Sequence, residues 1–114
     1  MLADNQNGEH AVAFERAFLA TVLEWMETRG FTVNAFAKKA FPEGYRSDPV
    51  RRFRAMVTQG RLGKPQRINL ADAYLISEGL GVDLPYLIFI TRQRLIEEAQ
   101  LEAGLDQNAK SAGR

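Results

Sequence analysis

Apolar residues in the first part of the chain recur every three or four positions, and this spacing restricts the fold more than any other feature. Intervals of four, four and three separate Phe14, Phe18, Val22 and Trp25. Such spacing places side chains on one face of an α-helix. No stretch alternates apolar and polar residues for long enough to predict a β-strand. The sequence therefore predicts an all-α protein whose first helix covers residues 10–29.

Residues that favour helix N-termini divide the rest of the chain into four more helices. The side chains of Thr32, Asp48, Asn69 and Asp83 are suited to N-caps, because their oxygens accept hydrogen bonds from first-turn N–H groups. The predicted helices start at Thr32, at about residue 49, at residue 70 and at residue 84. Phe31 with Phe36, and Val82 with Leu87, have the spacing of a hydrophobic staple at two of these starts.

Glycine and proline mark where the same helices are expected to end. Gly30, Gly60 and Gly81 each follow a run of helical spacing, as C-terminal cap residues do. Pro42 and Gly44 end the second helix after residue 40. The third helix is therefore expected over about 49–59, the fourth over about 70–80, and a basic loop over 60–68.

A length of 114 residues suits one domain. The polar first residues predict a flexible N-terminal arm over 1–9, and the small polar residues at the other end predict a disordered tail over 104–114. The domain itself is expected over 10–103, with an extended C-terminal helix. The sequence contains no cysteine, which excludes a disulfide framework and a thiol nucleophile.

Charge is concentrated in the middle of the chain although the total is only +1. Residues 29–67 contain ten basic residues against two acidic ones, a net charge of +8. The flanking segments 1–28 and 68–114 have net charges of −4 and −3. A basic segment between acidic flanks is typical of a surface that binds a polyanion, and the alternative is a solvated surface without a partner.

Two segments carry a resemblance to a known family. Residues 32–40 read TVNAFAKKA, and residues 68–88 read INLADAYLISEGLGVDLPYLI. In order and spacing, across about residues 14–90, they resemble the lambda-repressor-like (Cro/cI-type, or XRE) helix-turn-helix family. The resemblance implies a compact five-helix domain that docks on double-stranded DNA, with its second helix across the phosphate backbone and its third in the major groove.

The resemblance also implies which residues contact bases. Ser47, Asp48, Arg51 and Arg52 fall where the family contacts them. A helical projection of residues 49–59 places Val50, Phe53 and Val57 on one side, with Arg51, Arg52 and Gln59 among the residues opposite. The predicted base-reading set is Ser47, Asp48, Arg51, Arg52 and Gln59. For Asp48 the N-cap role is preferred to a contact with cytosine.

Other polar residues of the basic segment are predicted to contact phosphates, which fix the register without reading sequence. For each of them the alternative is a solvated side chain. The predicted phosphate set is Thr32, Asn34, Lys38, Lys39, Arg46, Arg54, Arg61, Lys64 and Arg67.

Departures from the family pattern keep a second function open. The turn between the second and third helices is about three residues longer than usual, and Val33 stands where the family often has a phosphate-binding Gln. The first hypothesis is a small transcriptional regulator of bacterial or phage type. The alternative is a helix-turn-helix scaffold used as a protein-interaction module, such as an antitoxin.

Consecutive apolar residues in the last helix suggest a homodimer. The residues of the run Leu87, Ile88, Phe89 and Ile90 cannot all face one core, and surplus apolar surface often marks an intermolecular contact. The predicted contact residues are Leu87, Phe89 and Ile90. The alternative is that Phe89 or Ile90 packs under the first helix or the N-terminal arm.

Other function classes find no support in the sequence. The single histidine, His10, cannot build a metal site or a catalytic triad alone, and the segment 60–65 lacks the spacing of a phosphate loop. We therefore expect no enzymatic activity, no cofactor and no metal. The longest apolar run, Tyr86–Ile90, is far shorter than a bilayer requires, and the N-terminus does not resemble a secretory signal. We expect a cytoplasmic protein that has no contact with a membrane.

Overall fold

Five α-helices and their connections make up the part of the chain that the computed structural model describes, residues 2–46 and 48–112. Side chains are described for residues 8–46 and 48–104. The helices are α1 (Leu2–Thr28), α2 (Val33–Ala40), α3 (Pro49–Arg61), α4 (Leu70–Leu80) and α5 (Leu84–Ala112). No strand occurs within the described ranges, so the predicted all-α class and the number of helices are confirmed.

The core lies where all five helices meet. The side chain of Phe36 in α2 is completely buried, and its ring lies 5.7 Å from that of Phe31 and 5.6 Å from that of Phe53 in α3. Burying one such side chain stabilises the fold by about 1.5–3 kcal/mol. The other helices contribute buried apolar residues to the same cluster: Phe18, Val22 and Met26 from α1, Ile76 and Leu80 from α4, and Leu87 from α5.

Three of the predicted N-caps are confirmed by their hydrogen bonds. The Thr32 hydroxyl accepts from the N–H of Ala35 at 3.1 Å, and the Asp48 carboxylate accepts from the N–H of Arg51 at 3.1 Å. Asn69 and Asp72 form a reciprocal capping box at the start of α4. These caps fix where α2, α3 and α4 begin because they satisfy backbone donors that lack a helical partner.

One predicted helix end is wrong. Gly60 does not cap α3, which continues to Arg61, and Gly63 takes that role with a φ of 80°. The N–H of Lys64 donates to the carbonyl of Gln59 and that of Gly63 to the carbonyl of Gly60, which is the pattern of a Schellman motif. Gly60 is buried in the helix instead, where an added Cβ would lie 2.7 Å from Leu19 Cδ1. Position 60 has no room for a side chain because α1 and α3 approach closely there.

The two terminal helices are longer than predicted. α1 begins at Leu2 and α5 extends to Ala112, so residues expected in a loose arm and a disordered tail are helical. Arg94 of α5 joins the two helices, because its guanidinium donates to Glu24 of α1 at 2.8 Å. The longest dimension of the molecule is 60 Å.

No single helix in the described part of the chain has both the length and the apolar character to cross a bilayer. Leu70–Leu80 and Leu84–Gly104 reach that length and composition only when counted together, across a bend of 98°.

Candidate nucleic-acid interface

Helix α3 has one apolar face that packs on the core and one cationic face that is exposed. Phe53, Met56 and Val57 are buried and fix the helix against the core. The opposite face exposes Arg51, Arg54, Ala55 and Thr58, with Arg61 also exposed at its end. Two arginines one turn apart, with a small alanine beside them, therefore form the centre of the outward face. We call these four residues, 51, 54, 55 and 58, the α3 face.

Arg52 does not belong to the α3 face, which corrects its prediction as a base-reading residue. Its guanidinium donates to both carboxylate oxygens of Asp72 in α4, at 2.8 Å for Oδ1. The hydroxyl of Tyr45 donates to the same Oδ1 at 2.8 Å. The Asp72 side chain has no exposed surface. Arg52 therefore anchors α3 to α4, and both of its terminal nitrogens are engaged there.

The environment of Asp72 keeps this buried carboxyl group charged. Burial favours the neutral form, but the hydrogen bonds from Arg52 and Tyr45, the charge of Arg52 and the N–H of Asn69 together hold the pKa of Asp72 below its usual range. The hydrogen bond to Asp72 also raises the pKa of Arg52. The network is thus an ion pair at neutral pH, with its acceptor oxygens satisfied.

The other predicted base-reading residues differ in exposure and in the contacts that they make. Arg51 is exposed at the start of α3. Asp48 caps α3 with its carboxylate, which is the role preferred from the sequence. Gln59 is half-buried at the side of the helix. Ser47 lies outside the described residues.

Two charged residues of α1 hold the basic loop, which the structure places at residues 62–68. The carboxylate of Glu15 accepts hydrogen bonds from the backbone N–H of Gln66 and, at 3.1 Å, from that of Ile68. The guanidinium of Arg16 donates to the carbonyl of Gly63 at 3.2 Å. The loop backbone is fixed by α1, and the side chains of Lys64 and Arg67 point into solvent. Nothing in the sequence pairs Glu15 with residues about fifty positions away, so sequence reasoning missed this clamp.

The predicted phosphate contacts on α2 and the following loop are mostly exposed. Asn34 and Lys38 are exposed, and the ammonium of Lys39 lies 4.8 Å from the centre of the Phe31 ring. Arg46 is exposed with a φ of 61°, and its guanidinium lies 5.6 Å from the Tyr45 ring. The Thr32 hydroxyl already serves as the α2 cap.

Most basic side chains of residues 29–67 are not paired with an acidic side chain that the structure describes. Of the ten basic residues there, Arg52 alone forms an ion pair with a side chain that the structure describes. The segment therefore has uncompensated positive charge on α2, on α3 and on the loop at 62–68.

The residues predicted to form a dimer contact need correction. Leu87 is completely buried in the core, so it is not available to a partner. Ile90 is half-buried and lines a groove with Trp25 of α1, as the alternative prediction had it. Phe89 is exposed.

No three acidic or histidine side chains are grouped as metal ligands would be within the described part of the chain. Comparison of the chain with protein-family models, with curated proteins and with solved structures finds no match.

Proposed function

We propose that the protein binds double-stranded DNA as a lambda-repressor-like helix-turn-helix protein, and that it serves as a small transcriptional regulator of bacterial or phage type. The exposed, cationic α3 face carries this proposal. An α-helix fits the major groove of B-DNA, and an arginine can donate two hydrogen bonds to guanine. The fixed basic loop beside this helix supports the same function.

Base reading is assigned to the α3 face. Arg51 and Arg54 replace the predicted pair Arg51 and Arg52, because Arg52 is engaged by Asp72. Ala55 leaves room for close approach to the groove floor, and the methyl group of Thr58 can contact that of thymine. Asp48 and Gln59 lie at the border of this surface.

Phosphate binding is assigned to the basic residues around the α3 face. Arg61 is the last residue of α3, and Lys64 and Arg67 lie in the loop after it. Lys38 and Lys39 lie on α2, and Arg46 lies on the connection that follows α2. Their charges would displace counterions from DNA and position the helix without reading sequence.

Selection from a random duplex library, followed by fluorescence anisotropy at increasing salt, tests the proposal. Arg51→Ala and Arg54→Ala should each weaken binding to the selected sequence by 1–3 kcal/mol, about 5- to 150-fold, with little effect on random DNA. Lys64→Ala is the matched control, since losing a phosphate contact should weaken binding to both sequences equally and lower the salt slope by about 1. If no sequence is enriched and binding does not depend on salt, the proposal is wrong.

A protein-interaction module, such as an antitoxin, is the second candidate. Leu62 and Leu70 border the basic loop, and both are exposed. Exposed apolar side chains beside a charged surface favour contact with a protein. Under this alternative, Leu62→Ser would abolish binding to a protein partner, whereas DNA binding would be absent from the unmodified protein.

A further inference from the structure

A cavity lies where α1 faces the starts of α4 and α5 and the end of the basic loop. Its volume is about 220 Å³. The described apolar residues of its lining are Ala11, Phe14 and Phe18 from α1, Ile68 from the loop, Ala73 from α4 and Ile88 from α5. Small-molecule sites are usually concave and mainly apolar, with a few polar groups that orient the ligand. The cavity has this composition.

The size of the cavity restricts its ligand to a small molecule. An apolar cavity of about 150 Å³ is large enough to bind benzene, and drug-sized ligands occupy pockets of about 300–1,000 Å³. The cavity therefore has room for one six-membered ring with a short arm. Ile88 is 40% exposed, so the cavity can be reached from solvent without any rearrangement of the fold.

Glu15 provides the one charged side chain among the described residues of the lining. Its carboxylate accepts hydrogen bonds from the N–H groups of Gln66 and Ile68, but it forms no ion pair with a side chain that the structure describes. A carboxylate has about four acceptor sites, so the two backbone donors leave room for a further donor. The complement of this cavity is an apolar body that carries one positive charge.

We propose that the cavity binds a small primary amine with an apolar ring, whose ammonium group pairs with Glu15. An alkylammonium group, like that of lysine, keeps its charge at neutral pH. Phe14 and Phe18 provide aromatic walls for the ring, and Phe18 is held in place because it is buried in the core. An acid of the same shape is disfavoured, because its carboxylate would face that of Glu15.

A ligand in the cavity would also stabilise the basic loop. Glu15 and Ile68 both line the cavity, and they are the two partners of a hydrogen bond of 3.1 Å that holds the loop to α1. A ligand that contacts both residues binds the fixed loop better than a released one, so binding shifts the equilibrium towards the fixed loop. The site therefore couples a small cation to the order of Lys64 and Arg67. Ligand binding itself does not depend on the proposed DNA binding.

Titration of the chain with three probes of matched shape, followed by proton–nitrogen correlation NMR, tests the proposal. Phenethylamine should bind with a Kd of about 1 mM or below and shift the amide signals of Ile68, Ala73 and Ile88. Phenethyl alcohol, which lacks the charge, should bind about tenfold more weakly, and phenylacetate should not bind. Amide exchange at Gln66 and Ile68 should slow when the amine is bound. Equal binding of the amine and the alcohol, or no saturable shift with the amine, would overturn the proposal.

Variants of the lining locate the binding. Ala73→Leu places a larger side chain in the cavity and should abolish amine binding. Ala71→Leu, exposed on the same helix and outside the lining, is the matched control and should leave binding unchanged. Glu15→Gln keeps the shape of the site and should bind the amine and the alcohol equally, and it decides the matter alone if Ala73→Leu does not fold.

Two further results would contradict the proposal. One is an unchanged Kd for the amine in folded Ala73→Leu or in Glu15→Gln, which would place the binding elsewhere. The other is a shift of the Ile68 and Ile88 signals on dilution without any probe, which would show that a second copy of the chain fills the cavity.

Discussion

The guanidinium of Arg52 in α3 and the carboxylate of Asp72 in α4 form an ion pair whose acidic member is completely buried. Removing the arginine would leave a buried charge without its cation. We therefore expect Arg52→Ala to lower the free energy of unfolding by about 3–5 kcal/mol, measured by urea denaturation at neutral pH.

The neighbouring arginine provides the control for this variant. Arg51 is exposed, and it has the same chemistry and lies in the same helical turn. Arg51→Ala should change the free energy of unfolding by about 0.5 kcal/mol or less. Equal effects of the two variants on stability would show that the Asp72 contact does not anchor α3.

The same ion pair predicts a defined response to acid. The pKa of Asp72 is lower in the folded protein than in an unfolded chain, where it is about 3.9. Its stabilising contribution is therefore fully present above that value and is lost as the pH falls through the folded-state pKa.

Urea denaturation at a series of pH values from neutral to strongly acidic measures this response. Asp72→Asn should be less stable than the unmodified chain at neutral pH, and it should lose less stability on acidification. Parallel curves for the two proteins would mean that other carboxyl groups account for the acid response.

The contrast between Arg51 and Arg52 shows what the sequence could and could not predict. Consecutive residues on a helix point about 100° apart, so a helical projection identifies only approximately which residues of α3 face outward. Arg52 lies at the edge of that outward face, and its partner Asp72 is twenty positions away. The capping box that Asp72 forms with Asn69 is a local contact, but the burial of Asp72 against α3 is a tertiary contact.

Helix starts were predicted because their determinants are local. Thr32, Asp48 and Asn69 each bond to an N–H group three residues later. The end of α3 was predicted wrongly, because Gly60 lies inside the helix, which continues to Arg61. The packing of Gly60 against Leu19 is a tertiary contact, which the sequence does not show.

The Glu15 clamp predicts that α1 controls the order of the basic loop. Glu15→Ala removes the acceptor for two backbone N–H groups, and hydrogen bonds to charged groups contribute about 1.5–3 kcal/mol each. Amide hydrogen exchange should therefore accelerate at Gln66 and Ile68, while exchange within α3 stays unchanged.

The isosteric variant separates charge from shape at this site. Glu15→Gln retains one acceptor oxygen, so its exchange rates at Gln66 and Ile68 should fall between those of the unmodified chain and Glu15→Ala. Unchanged exchange in both variants would show that Glu15 does not hold the loop.

Gly79 and Gly104 provide a matched pair for the closeness of the contact between α2 and α4. A Cβ added at Gly79 would lie 2.8 Å from the Cβ and 3.2 Å from the Cα of Ala40, so the two helices would have to separate. Gly79→Ala should therefore lower the free energy of unfolding by about 1–3 kcal/mol, despite the better helix propensity of alanine.

Gly104 provides the control, because it is also helical and no atom lies within 4 Å of an added Cβ. Gly104→Ala should raise the free energy of unfolding by about 0.5–1 kcal/mol. Thermal or urea denaturation of both variants measures the difference. Because both substitutions make the same gain in propensity, opposite signs isolate the steric cost at Ala40, and stabilisation by Gly79→Ala would contradict the close packing.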